Sequence, residues 1–329
     1  MMRDSECLTF QEALTSLIDE RGAISSAVMY ALSGPSSAEV QLFRRQWPSL
    51  ALTRRQKMVS ALVENAEANF ELDFSVLFRV TMEDEDAQIR AMSVEGLWED
   101  EEVGLVAPLV RMLREDDAMS VRAAAASSLG RFALLGELEE IEPRYAQMVR
   151  DALLETVDRP EEYLEVRCRA IESIAYVGDE SVRDIIEDAY AHEDEAMRVS
   201  AVFAMGRSAD TVWSQTVQEE LQSPNPAMRY EAARACGELE LKDAVPALIR
   251  LVSDPDREVQ FAAMASLGQI GGKKARQVLE RCCQSDDEVT RLAAEDAMAE
   301  LDLGERPLDL FSHDLETDAE GEEGMGEED

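Results

Sequence analysis

The sequence has 329 residues, of which 70 are Asp or Glu and 32 are Lys or Arg, so its formal net charge is −38. Such an acidic chain argues against nucleic acids and anionic membranes as partners, because both present phosphates that bind cationic side chains. Hydrophobic residues make up 46% of the chain, which is enough for a substantial core. Because the first residues lack an apolar signal sequence, we expect a cytoplasmic protein.

The N-terminal region predicts two short helices, at about 9–20 and 37–47. Each begins with a capping box, Thr9 with Glu12 and Ser36 with Glu39, in which the two side chains satisfy backbone N–H groups at the start of a helix. We interpret residues 1–51 as an N-terminal helical cap that covers the first apolar face of the region after it.

A sequence repeat dominates the rest of the chain. Its clearest copy is Val121-Arg122-Ala123-Ala124-Ala125-Ala126-Ser127-Ser128-Leu129-Gly130, which follows the pattern V-R-x-x-A-x-x-x-L-G. Counted at the arginine position, the copies fall at residues 90, 122, 167, 198, 229, 260 and 290, a period near 31 interrupted by one step of 45. The long step indicates an insertion at about 134–160. Residues 52–82 are a degenerate first copy.

Each copy predicts two antiparallel helices, the first of which carries the arginine. An acid or amide four residues before the arginine is placed to cap that helix: Asp86, Asp194, Asn225, Asp256 and Asp286. Glycine eight residues after the arginine, as in Gly206 and Gly268, indicates either close packing or a left-handed helix end. Because one pair cannot bury its apolar stripe alone, the repeats predict an all-α fold, a right-handed α-solenoid of about seven to eight helical pairs over residues 52–301.

The repeat pattern stops at Asp302. Residues 302–329 contain twelve acids and only one arginine, Arg306, which predicts a disordered acidic tail. A short apolar cluster, Leu308, Leu310 and Phe311, leaves open whether the tail binds anything.

The repeat string resembles the short HEAT-like repeats named after phycobilisome lyases, in the armadillo-like helical superfamily. The helices also resemble those of deoxyhypusine hydroxylase, a family that binds two irons through His-Glu pairs directly after the repeat arginine. At those positions this chain has pairs such as Tyr230-Glu231, none of which contains histidine, and its only histidines are His192 and His313. We therefore exclude the hydroxylase chemistry, and we expect no metal or other cofactor.

No phosphate-binding glycine loop or Ser-His-Asp arrangement is recognisable in the sequence. The preferred interpretation is a non-catalytic scaffold that binds a partner protein, in an oligomeric state that the sequence leaves open. The alternative, which rests on the family resemblance, is a bilin lyase or isomerase.

The candidate protein-binding residues form one charged position in the second helices of the repeats. In chain order they are Arg79, Arg111, Glu155, Glu187, Glu219, Arg250 and Glu280. If the second helices line the concave side, this charged ladder faces the partner, and together with the net charge it favours a partner with a basic surface. A solvated helix face is the alternative. Trp98 and Trp213 are either core residues or part of the binding surface.

Overall fold

The computed structural model describes residues 8–18 and 24–304. Within these ranges the chain forms helices and turns, with no strand, which confirms the all-α fold. The α-helices are α1 Phe10–Ile18, α2 Ser26–Leu32, α3 Ser37–Gln46, α4 Leu52–Ala68, α5 Ser75–Thr81, α6 Ala87–Glu95, α7 Val106–Glu115, α8 Met119–Glu137, α9 Pro143–Val157, α10 Leu164–Ile174, α11 Glu180–Tyr190, α12 Glu195–Arg207, α13 Ser214–Glu220, α14 Pro226–Glu238, α15 Val245–Leu251, α16 Arg257–Ile270, α17 Lys273–Cys282 and α18 Glu288–Gly304.

Four short 3₁₀ helices precede or follow α-helices, at Trp47–Ser49, Val103–Leu105, Thr211–Trp213 and Lys242–Ala244. None of the helices within the described ranges is both long enough and apolar enough to cross a bilayer. The helices form two compact units, of which one ends at Leu239 and the other begins at Glu240. The predicted tail lies outside the described residues from residue 305 onward, and α18 continues through Asp302 to Gly304.

Helices α1 and α3 have the predicted capping chemistry. The backbone N–H of Thr9 donates to Glu12 at 2.9 Å, and that of Ser36 donates to Glu39 at 2.8 Å, so both capping boxes are confirmed. Helix α1 packs against α2 and α3, and α3 packs against α5. Helix α2 was not predicted, and residues 19 and 20 of the first predicted helix lie outside the described part of the chain.

Each helix that carries the repeat arginine packs against the helix before it in the chain. We call α6, α8, α10, α12, α14, α16 and α18 the arginine helices, and α5, α7, α9, α11, α13, α15 and α17 the intervening helices. In the described residues, five such pairs, from α5 with α6 to α13 with α14, lie in the first unit, and two, α15 with α16 and α17 with α18, lie in the second. The structural repeat therefore begins one helix earlier than the sequence pattern indicated.

The repeat arginine ties together the turn that joins the two helices of a pair. The Arg198 Nη1 group donates to the backbone carbonyl oxygens of His192 at 2.9 Å and Glu193 at 3.0 Å. Arg90 makes the same two bonds, to the carbonyls of Asp84 and Glu85. Because those carbonyls follow the end of a helix, they have no intrahelical donor, and a fixed guanidinium satisfies them.

In the last repeat, the residue assigned from the sequence to the arginine position, Thr290, is one residue too early. Arg291, not Thr290, donates to the carbonyl six residues earlier, that of Ser285 at 3.3 Å. Asp287 rather than Asp286 accepts the N–H of Thr290, at 2.9 Å, and so caps α18. The other four predicted N-caps are confirmed: Asp86, Asp194, Asn225 and Asp256. The final step of the repeat is thus 31 residues, the same length as the three steps before it.

Neighbouring arginine helices approach one another closely at the repeat glycines. A Cβ atom on Gly206 would lie 2.8 Å from the Cα of Ala235, and one on Gly268 would lie 2.5 Å from the carbonyl oxygen of Ala297. These glycines therefore serve close packing and not a left-handed helix end. Within the first unit, α6, α8, α10, α12 and α14 pack in succession and form one layer.

The insertion in the sequence lengthens helices. Helix α8 has 19 residues and α9 has 15, whereas α6 has 9 and α10 has 11. The extra residues of the 45-residue step therefore extend the two helices on either side of the turn at 138–142.

Candidate functional site

A groove runs across the arginine helices of the first unit. Its volume is about 680 Å³, and its lining comes from α6, α8, α10 and α12 and the turns next to them. The lining residues lie on the side of these helices that faces away from the intervening helices: Val94, Glu95, Trp98, Ser120, Ala123, Ala124, Ser127, Ser128, Gly130, Arg131, Leu134, Glu165, Arg169, Glu172, Ser173, Tyr176 and Phe203. We refer to this set as the groove.

Helical periodicity explains which residues reach the groove. In α6, α8, α10, α12, α14 and α16 the residues three and seven positions after the arginine are buried, as Ala125 and Leu129 are in α8. The residues two, five and nine positions after it lie on the opposite side, since these offsets also follow a 3.6-residue period. In α8 they are Ala124, Ser127 and Arg131, all of which line the groove.

The groove has an apolar surface with an exposed tryptophan. Trp98 is 46% exposed and Leu134 is also exposed, although both are large apolar side chains. Tyr176 and Phe203 are half-buried beside them in the same groove. A cluster of partly exposed apolar and aromatic side chains in one concavity is typical of a binding surface.

Acidic groups surround this apolar surface. Glu95 and Glu165 are exposed, and Glu172 accepts a bond from Arg169 at 2.7 Å and another from the hydroxyl of Ser200 at 2.7 Å. Partial burial of its carboxylate, with a smaller contribution from nearby Glu67, raises the pKa of Glu95, although the residue as a whole is exposed. A cation bound at the groove would relieve that unfavourable environment.

Beyond the groove, two arginines lie over aromatic rings on neighbouring helices. The Arg207 guanidinium is 5.8 Å from the ring centre of Tyr176 and 5.2 Å from that of Phe203. Arg234 is 5.0 Å from the ring centre of Phe203 and 5.9 Å from that of Tyr230. These cation–π contacts link the turn after α10 to α12 and α14 and hold Phe203 in place.

Glu231, of the Tyr230-Glu231 pair, lies in the same cluster. Its carboxylate accepts a bond from Arg234 at 3.2 Å. Burial raises its pKa to about 7, against the lowering effect of Arg234. In the described residues, no group of three or more His, Cys, Asp or Glu side chains is placed to hold a metal ion.

The predicted charged ladder lies on the intervening helices and outside the groove. Arg79 is half-buried, and the other six residues of the ladder are exposed. Several members already have partners. Arg79 bonds Asp100 at 2.7 Å, and Glu155 pairs with Arg114 at 2.9 Å and with Arg159 at 2.7 Å.

The groove thus lies on the arginine helices, whereas the predicted binding residues lie on the intervening helices. Two signals for it were present in the sequence. The repeat glycines indicate which helices pack most closely, and Trp98 replaces a glycine at the repeat position where most copies have one. Trp213, by contrast, is buried, 8% exposed, next to α13.

Comparison with known proteins identifies the family and fold. The family model described as HEAT repeats matches residues 74–162 and 214–299, together more than half of the chain. Both matched ranges begin next to an intervening helix, α5 or α13, in agreement with the pairing seen in the structure. No curated protein sequence matches the chain.

Several solved structures resemble the chain in fold. YibA of Escherichia coli is 18% identical, with a TM-score of 0.41, over 70% of this chain and 93% of YibA. The CpcE–CpcF complex of phycocyanin lyase from Nostoc sp. is 17% identical, with a TM-score of 0.43, over 60% of this chain and 76% of the other. Human deoxyhypusine hydroxylase is 16% identical, with a TM-score of 0.36, over 89% of this chain and 96% of the other.

These similarities concern the fold alone. The family match, the repeated arginine-bound turns and the stacked helical pairs all describe the same architecture. The chain is a member of the HEAT repeat family, with an α-solenoid fold.

Proposed function

We propose that the protein is a non-catalytic scaffold that binds an extended segment of a partner protein in the groove. The observation that carries the proposal is the exposed indole of Trp98 among Leu134, Tyr176 and Phe203. Tryptophan contributes more binding energy than most residues at protein interfaces, because it buries a large rigid surface. An exposed tryptophan in a groove of about 680 Å³ is therefore suited to one or two apolar side chains of a partner.

The charges of the groove select the flanking residues of that segment. Glu95 and Glu165 are exposed carboxylates, and the charge of Arg169 is already paired with Glu172. Arg131 is a further cation in the lining, so three acids face two arginines and the groove keeps a net negative charge. We therefore expect the bound segment to have Lys or Arg on either side of its apolar residues. This agrees with a partner that has a basic surface, as the net charge of −38 also favours.

The charged ladder acts on the partner at long range, outside the groove. Glu187 and Glu219 are exposed on α11 and α13, where they add to the long-range attraction of a basic partner without touching the groove. Glu155 contributes less, because two arginines neutralise it.

The test is selection from a displayed peptide library on the intact protein, followed by affinity measurements. We expect the selected peptides to carry apolar residues flanked by Lys or Arg. Trp98→Ala should weaken their binding at least tenfold. Phe70→Ala is the matched control, since Phe70 is an aromatic residue that is 80% exposed and lies outside the groove.

Two results would contradict the proposal. One is that peptides bind Trp98→Ala as tightly as the unchanged protein. The other is transfer of a bilin to an acceptor protein by the purified chain, which would favour the lyase alternative.

A further inference from the structure

The second unit contains a compact cluster of lysines in an otherwise acidic chain. The sequence has four lysines, Lys57, Lys242, Lys273 and Lys274, and the last three line one open cavity of about 570 Å³. We call Lys242, Lys273 and Lys274 the lysine cluster. Three of the four lysines therefore lie at one place in a chain that has 70 acids.

The backbone turn between α16 and α17 brings the cluster together. Gly271 and Gly272 have φ angles of +69° and +92°, which L-residues rarely adopt, and a Cβ atom on either would meet nothing within 4 Å. The turn therefore leaves the cavity open, and α17 begins directly after it at Lys273.

The three lysines are exposed and are not used by the fold. In the described residues, none of them forms an ion pair, whereas most arginines of the second unit have a carboxylate or carbonyl partner. One acidic residue, Asp243, lines the same cavity. The cluster is thus a local cationic site of this unit that the fold itself does not neutralise.

Helix α18, the last described helix, ends on the same side of the α17–α18 pair as this cluster. Helices α17 and α18 pack against each other in opposite directions, and Arg276 bonds Asp302 with Nη2 and Oδ1 2.6 Å apart. Arg276 lies one helical turn after Lys273, and Asp302 lies two residues before the end of α18. The described part of the chain therefore ends, at Gly304, at the same end of the helical pair as Lys273 and Lys274.

The chemistry of the tail complements the cluster. Residues 305–329 contain eleven acids and one arginine. A chain of that length spans far more than the cavity, at about 3.3 Å per extended residue. Attachment to α18 also gives the tail an effective concentration on the order of millimolar, so that weak individual ion pairs suffice for binding.

We propose that the acidic tail, residues 305–329, binds the lysine cluster of its own chain. The bound tail covers the cationic site of the second unit and keeps other acidic ligands from it. This interaction is independent of the groove in the first unit, so that either proposal can fail without the other.

Carbodiimide cross-linking of the intact protein, which joins a carboxylate to an amine in direct contact, tests the contact. We expect intramolecular cross-links between tail acids and Lys242, Lys273 or Lys274, and their loss in 0.5 M salt, where the Debye length falls to about 4 Å. Lys57 is the matched control, since it is exposed on α4 in the first unit. Cross-links to Lys57 at the same yield, or cross-links only between two chains, would overturn the proposal.

A competition experiment tests whether the tail covers the cluster. A full-length variant with the tail acids changed to the corresponding amides should bind a synthetic peptide of residues 305–329 at least tenfold more tightly than the unchanged protein does. Adding Lys242→Gln, Lys273→Gln and Lys274→Gln should abolish that gain, with the helical circular dichroism spectrum unchanged. Equal peptide binding by the unchanged and amide-tailed proteins would contradict the proposal, as would inorganic phosphate binding the unchanged protein as tightly as the amide-tailed one.

Discussion

The guanidinium of Arg90 bonds both carboxylate oxygens of Asp116, each at 2.8 Å, and so joins one inter-helix turn to the next. Asp116 also accepts the backbone N–H of Ala118 at 3.0 Å, at the start of α8. Since Arg90 holds the carbonyls of its own turn at the same time, this pair links two consecutive repeats through one side chain.

Replacing Asp116 with Asn should destabilise the first unit. Burial alone would raise the pKa of Asp116, but the bonds from Arg90 and Ala118 lower it below its ordinary value. A lowered folded-state pKa contributes stability that is present above the unfolded-state pKa, near 4, and is lost as the pH falls through the folded-state value. We expect Asp116→Asn to cost about 1–3 kcal/mol at pH 7, and the difference to vanish in acid, in urea titrations across pH.

The exposed Asp117→Asn is the control for that experiment, because its carboxylate has no side-chain bond in the described residues. A constant difference between Asp116→Asn and the unchanged protein from pH 7 to pH 2 would contradict the role of the charge.

The corrected alignment of the last repeat predicts opposite results for two adjacent alanines. Ala294 is fully buried, 0% exposed, whereas Ala293 is only half-buried. Ala294→Leu should therefore overpack the contact of α18 and destabilise the second unit by about 1–3 kcal/mol, while Ala293→Leu should have little effect. Thermal unfolding of both variants distinguishes the alignments, because an alignment on Thr290 predicts the reverse order.

The repeat core predicts a large cost for Leu267→Ala. Leu267 and Ala263 are both fully buried in α16, as the repeat pattern predicted. Loss of the Leu267 side chain should cost about 2–5 kcal/mol, because it leaves a cavity between packed helices. The loss should be local to the second unit in amide exchange, since neighbouring repeats share most contacts. Leu292→Ala, at an exposed position of α18, is the control and should leave the exchange rates unchanged.

Much of the fold could be predicted because its signals are local. Asp194 and Asn225 cap their helices because their side chains reach N–H groups two residues away, which sequence spacing alone reveals. Helix α2 escaped prediction for the complementary reason, since Ser25 makes no side-chain bond at its start. Val289-Thr290 resembles the Val-Arg pair of the repeat in the sequence. The bond from Arg291 to the turn shows that Arg291 holds the arginine position.

The groove could not be placed in the same way. The repeat glycines and Trp98 distinguish the arginine helices in the sequence, but they do not show that this layer, and not the intervening helices, lines a cavity. That depends on how closely successive arginine helices approach, and hence on contacts such as Gly206 with Ala235, which are far apart in sequence.

The half-buried carboxylate of Glu231 predicts a pH-dependent stability. Its folded-state pKa is raised to about 7 by burial, so the native state binds a proton more tightly than the unfolded chain does. Stability contributed by that proton is present below the unfolded-state pKa, near 4, and is lost as the pH rises through 7. Glu231→Gln should therefore stabilise the protein relative to the unchanged chain more at pH 8 than at pH 5, by about 1–3 kcal/mol.

Urea titrations at the two pH values provide the measurement. Glu165→Gln is the control, because Glu165 is exposed and should give the same small effect at both values. A larger stabilisation by Glu231→Gln at pH 5 than at pH 8 would show that the bond to Arg234 dominates over burial.

Charge reversal separates the ladder from the groove. Glu187→Lys with Glu219→Lys should slow association of a basic peptide and flatten its salt dependence, while its dissociation rate stays nearly constant. Adding Glu155→Lys should change the association rate less than either of the other two, since Arg114 and Arg159 already compensate Glu155. Stopped-flow measurements at 50 and 300 mM salt give both rates. An unchanged association rate would leave the ladder as a solvated helix face.

The unequal lengths of the helices around the groove give a bound chain a direction. Helix α8 has 19 residues against 9 in α6 and 11 in α10, so its last turns, with Arg131 and Leu134, extend past both neighbours. Trp98 lies on the α6 side of the groove and Phe203 on the α12 side. A peptide and its reversed sequence would therefore place different side chains against Trp98 and against Phe203. Only one of the two directions can match both ends of the groove.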